Sequence, residues 1–95
     1  MTLADQVRFM FTTLHGGAVN LGLHLAAVPV LLFGLAQRRV SWVVIAAAMA
    51  VIGHAWNMFF RFDREQRRTA LRVFPLQLSL TITVFLLLFR FFGWV

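Results

Sequence analysis

Three histidines are the side chains of this sequence best suited to chemistry. His15 and His24 stand in the stretch HGGAVNLGLHLAAVP, with Asn20 between them, and His54 stands in IGHAWNMFF, three residues before Asn57. Residues three or four apart share one face of a helix, so Asn20 pairs with His24 and His54 with Asn57. A neutral imidazole can ligate a divalent transition metal, serve as an axial ligand to haem or bacteriochlorophyll, or simply hydrogen-bond to a neighbouring helix. In the metal reading His15, His24 and His54 hold iron or another divalent ion. In the packing reading the histidines, with Asn20 and Asn57, form interhelical hydrogen bonds worth ~0.6–2 kcal/mol each. In the pigment reading His54 is the ligand. All three stay open at this level. Any metal site here lacks a carboxylate from the apolar runs, because Asp5, Asp63 and Glu65 lie outside them.

Composition narrows the chemistry further. The chain has no cysteine and no tyrosine, which excludes disulfides, thiolate catalysis, cysteine-based metal sites and a phenolic acid or base. Apolar residues make up 61% of its 95 residues. Soluble domains average ~45–50%, and a chain this short has too little interior to hide the excess. A bilayer is the expected solvent. The net charge of +6 comes from nine arginines with no lysine, and these flank the apolar runs. Orientation in a membrane and contact with anionic head groups are therefore expected, rather than nucleic-acid binding. The first residues do not read as a cleaved leader.

Three apolar runs, 18–36, 40–60 and 74–95, each approach the ~20 residues that cross ~30 Å of hydrocarbon as a helix. The fold expected is all-α, a single unit with three transmembrane helices and an amphipathic N-terminal segment. In that segment Val7, Met10, Phe11 and Leu14 share a face. A tight connection at 37–39 and a basic loop at 61–73, long enough for a short interfacial helix, join the spans. Pro29 predicts a kink in the first span, and Pro75 fits the start of the third. Gly16, Gly17 and Gly22 read as places of close backbone approach, and Ala46, Ala50 and Gly53 form a small-residue stripe suited to helix packing.

The N-terminus and the basic loop share a side, with Arg8, Arg61, Arg64, Arg67, Arg68 and Arg72. The positive-inside rule makes that side cytoplasmic and the C-terminus periplasmic in a bacterial inner membrane. Arg61, Arg64, Arg67, Arg68 and Arg72 are the expected lipid or partner contacts, while Trp42 and Trp94 anchor the opposite interface. His24 and His54 each fall about six residues from the cytoplasmic end of their helix, ~9 Å deep, so antiparallel packing brings them together. On a continuous helix His15 would lie ~13 Å above His24.

Two resemblances bear on function. AVIGHAW, with Ala50 four residues before His54, is similar to the Ala-x3-His pattern of bacterial light-harvesting polypeptides. More of the chain is covered by another pattern: His15-x4-Asn20-x3-His24-x4-Pro29, then IGHAWNMFF, then FPLQLSL. This order resembles the Mpo-like family, whose fungal members are iron-dependent dioxygenases of 2-hydroxy fatty acids. The resemblance implies that His15, His24 and His54 are iron ligands or their neighbours and Asn20 an orienting residue. Met58 stands where the family usually carries a glutamate. Two functions are expected, then. One is a small accessory subunit of a larger membrane complex, of photosynthetic or respiratory type, gripping neighbours by small-residue faces. The other is a metal-dependent oxygenase whose acyl substrate lies among the eleven phenylalanines.

Overall fold

The computed structural model describes residues 1–95 as four α-helices and no strands. Helix α1 spans Leu3–Phe9 and runs into a π-turn at Met10–Leu14; α2 spans Ala18–Ala36; α3 spans Val40–Trp56 and runs into a second π-turn at Asn57–Arg61; α4 spans Arg64–Phe91. Two capping boxes start the polar helix ends. Thr2 and Asp5 close reciprocal hydrogen bonds at α1, and Asp63 and Gln66 do so at α4, which satisfies amide donors that an uncapped terminus leaves free. Three helical stretches, Ala18–Ala36, Val40–Arg61 and Arg64–Phe91, are long and apolar enough to cross a membrane.

Helices α2 and α3 form an antiparallel hairpin closed at Arg38, whose φ of 55° lies in the left-handed region. Small residues line their seam. Ala27, Gly34, Ala46 and Gly53 are buried there, and Ala50 is half-buried. The approach is closest at Gly53, where a methyl group would overlap Asn20 Oδ1 and lie 3.2 Å from Asn20 Cα. A second cluster joins the N-terminal segment to α4: Met10, Leu14, Phe62, Ala70 and Val73 are all buried together. At the opposite end the chain after α4 clasps the hairpin. Trp94 Nε1 donates to the Leu35 carbonyl at 2.9 Å, and Arg38 Nη2 donates to the carbonyls of Gly93 and Phe92 at 3.3 and 3.5 Å. Between these two attachments α4 leaves Leu78, Leu80, Ile82, Val84, Leu86 and Leu87 exposed.

Several sequence expectations change. Residues 61–73 are not a loop followed by a new span. The chain turns at Phe62–Asp63, and the arginine-rich stretch is the first part of α4 itself. Its 28 residues reach ~42 Å, longer than the ~30 Å a span must cross, so the charged first turns and the apolar run belong to one helix. Pro75 accordingly lies inside α4 rather than at its start, whereas α2 continues through Pro29 without a break, as the sequence reading expects. Gly22 faces open space and brings nothing close. Phe11 is 69% exposed, so the apolar face of the N-terminal segment is carried by Met10 and Leu14 without it.

Candidate metal centre

The site is assembled by one carbonyl group. The π-turn at Met10–Leu14 widens the backbone before His15 and leaves the Leu14 carbonyl facing inward. Asn20 Nδ2 donates to it at 3.0 Å from α2, and Asn57 Nδ2 donates to it at 3.1 Å from the end of α3. Asn57 Nδ2 also donates to Gly16 O at 3.0 Å. Both asparagines are fully buried. Gly17, at φ 86°, then reverses the chain into α2, a conformation that side chains with a Cβ rarely adopt. The short segment 14–17 is thus stapled across the end of the hairpin opposite Arg38. This is the physical reason that His15 does not stand a further ~13 Å along the α2 axis. It leaves the helix and folds back over His24.

The three imidazoles meet. Ring centroids of His24 and His54 are 4.7 Å apart, of His15 and His54 5.0 Å, and of His15 and His24 5.2 Å, with each pair close to perpendicular. His24 Nε2 and His54 Nε2 are 3.1 Å apart, and one ring nitrogen from each histidine lies within 4.8 Å of the others. His15 Nδ1 lies 2.7 Å from the Met10 carbonyl, and His24 Nδ1 lies 2.9 Å from the Asn20 carbonyl. A carbonyl oxygen only accepts, so both Nδ1 atoms carry the proton and both Nε2 atoms carry a lone pair. Backbone carbonyls that hold the outer nitrogen in this way are the usual support of metal-bound histidine.

The donor set fits a borderline transition ion. Metal–nitrogen bonds of ~2.0–2.1 Å put tetrahedral ligand nitrogens ~3.3 Å from one another. One pair already stands near that separation, and the third nitrogen needs a shift of about 1.5 Å or less to reach it. Imidazole suits zinc, copper, iron or nickel. His54 Nε2 is turned to His24 rather than outward, which favours a small ion over a macrocycle on that nitrogen. Within the hairpin, Asn20 Oδ1 and Asn57 Oδ1 are buried without a hydrogen-bond partner, about one helical turn from His24 and His54 respectively. Asn20 Oδ1 packs against Gly53 and Asn57 Oδ1 against Gly17.

Two further groups border the cluster. Gln77 Nε2, from α4, lies 3.4 Å from His15 Nε2 and donates to Thr81 Oγ1 at 3.1 Å. Neither residue is marked by spacing or composition. The only hint is that two polar side chains four apart interrupt an apolar run. Arg61 Nη1 donates to the Thr13 carbonyl at 3.1 Å, and its side chain lies over Gly16 and Gly17. Arg61 is therefore part of the staple as well as an exposed cation. Arg64, Arg68 and Arg72, with Glu65 and Thr69, line a shallow surface depression of about 410 Å³, and Arg67 projects beside them. Comparison with described protein families, with curated proteins and with solved structures finds no match.

Proposed function

We propose that this chain is a small integral-membrane metalloprotein, in which His15, His24 and His54 hold one divalent transition ion close to the cytoplasmic face. The observation that carries this reading is the convergence of three imidazoles from three separate segments, two of them with their protonated nitrogen tied to backbone carbonyls. Packing alone asks for pairs of complementary donors and acceptors. It does not by itself call for three imidazoles from three segments to bring one ring nitrogen each within 4.8 Å of the others. The resemblance to Mpo-like proteins extends the reading to oxidation of a lipid acyl substrate such as a 2-hydroxy fatty acid, with the ion as iron. Bound iron supplies the activation of dioxygen. The protein's part is to fix the imidazole tautomers, to exclude water through the buried Asn20–Leu14–Asn57 staple, and to admit the acyl chain from the bilayer. The arginine distribution supports an N-terminus in the cytoplasm and a C-terminus across a bacterial inner membrane.

The test is metal analysis of the full chain purified in mild detergent. The expected result is about one transition ion per chain in the wild type and loss of that ion in His54→Ala. Purified chain that retains no iron, cobalt or zinc after reconstitution with each would overturn the reading. A second reading, an accessory subunit of a photosynthetic or respiratory membrane complex, is supported by the exposed apolar surface of α4 between its two attachments. Copurification with stoichiometric membrane partners is the outcome it expects, and a sole monodisperse product contradicts it.

A further inference from the structure

We infer that Gln77 is a fourth arm of the histidine site, one that presents a different atom of its carboxamide when a divalent ion is held, with Thr81 as its partner in both orientations. This inference rests on the three-imidazole reading above.

The argument starts from who can donate. The Nδ1 proton of His15 goes to the Met10 carbonyl, so His15 Nε2 is an acceptor. Gln77 Nε2, 3.4 Å away, directs one N–H to that lone pair and the other to Thr81 Oγ1. A cation on His15 Nε2 takes the lone pair, and the same N–H then points at positive charge. Rotating the carboxamide by half a turn exchanges its nitrogen and oxygen with little change of shape. The oxygen then faces the ion. Thr81 loses a donor but its hydroxyl can donate in turn, because a hydroxyl both gives and accepts hydrogen bonds. The Gln77–Thr81 pair is thus satisfied with or without metal, which no pairing of two single-purpose groups achieves.

The other amides near the site cannot take this role. Asn20 and Asn57 are held by the Leu14 and Gly16 carbonyls, which only accept, so turning either amide would set oxygen against oxygen. The carboxylates of Asp5, Asp63 and Glu65 are exposed and lie outside the histidine cluster. Gln77 also gives α4, otherwise joined to the rest at its two ends, a reason to face the hairpin at this depth.

The experiment is titration of Co(II) into the purified full chain, read by affinity and by the visible d–d spectrum, with helicity checked by circular dichroism. In Gln77→Leu the affinity should fall roughly 10–100-fold, with a changed spectrum, while one-to-one stoichiometry is kept. In Gln77→Glu the ion should bind at least as tightly as in the wild type, with a shifted spectrum, because a carboxylate replaces the amide oxygen. Thr81→Val should weaken binding in the same direction as Gln77→Leu. Wild-type affinity and spectrum in folded Gln77→Leu overturn the inference while leaving the three-imidazole site standing. If that variant does not fold, Gln77→Glu decides: a spectrum and affinity unchanged from the wild type overturn it. Absence of Co(II) binding by the wild type overturns both.

Discussion

Gly53→Ala tests how the helix seam governs the site. The added methyl overlaps Asn20 Oδ1 and lies 3.2 Å from Asn20 Cα. Carbon atoms in good contact are ~3.5–4.0 Å apart, so the backbone of α2 stands several tenths of an ångström too near. Swinging the Asn20 side chain away relieves only the first overlap, and it breaks the bond to the Leu14 carbonyl, worth ~0.5–1.5 kcal/mol. The crowding against the Asn20 backbone remains until α2 and α3 separate. Overpacking of this kind costs ~1–3 kcal/mol, and the better helix propensity of alanine returns ~1 kcal/mol at most. The net expectation is a loss of about 1–2 kcal/mol. The same separation reaches the metal site, because His54 follows Gly53 directly and His24 lies one turn from Asn20, so the 3.1 Å Nε2–Nε2 spacing must widen. The assay is denaturant unfolding in micelles followed by circular dichroism, paired with Co(II) affinity. Gly22→Ala is the control, since a methyl there meets nothing within 4 Å and should leave both readings level or slightly improved. Equal stability and equal metal affinity in Gly53→Ala and the wild type would refute the reasoning.

Two further outcomes are expected. Asn57→Ala removes the donor to both Leu14 O and Gly16 O, so segment 14–17 should lift from the hairpin; the loss is about 1–3 kcal/mol, and His15 should gain reactivity to diethyl pyrocarbonate. The second concerns acid. The Thr2 backbone N–H, and after it the Thr2 side chain, hold the Asp5 carboxyl below its ordinary value. A depressed folded pKa gives stability that is present above the unfolded value near ~3.9 and lost as pH falls through the folded one. Amide exchange across residues 3–9 should therefore accelerate below about pH 4, and in Asp5→Asn that acid dependence should vanish.

Much of the hairpin half of the site is legible in the sequence. The spacing of Asn20 with His24 and of His54 with Asn57, together with their equal depth from one end, is enough to bring His24 beside His54. The place of His15 is not legible, because it depends on a π-turn and on Gly17. A π-turn differs from a helix by one residue of hydrogen-bond register and leaves no periodic signature. Gln77 is hidden for a different reason. A lone glutamine in an apolar run has no direction until the rotation of its helix is known. That rotation is set by the Asp63–Gln66 cap and by Ala70 and Val73 against Met10 and Leu14. The arginines at 64–72 misplace the start of α4, since charge ends an apolar run without ending a helix.

The two π-turns carry a consequence for how this chain tolerates change in length. Each holds one residue more than an α-turn in the same place would. Deleting one residue from 10–14 would let that turn close in regular α-helical register, with α1 and His15 in nearly their present relation. The cost would fall on the widened turn and on the Leu14 carbonyl it presents to Asn20 and Asn57. Segment 57–61 should behave alike. A one-codon deletion within the regular part of α2 or α3 has no such slack and should turn everything beyond it by about 100°.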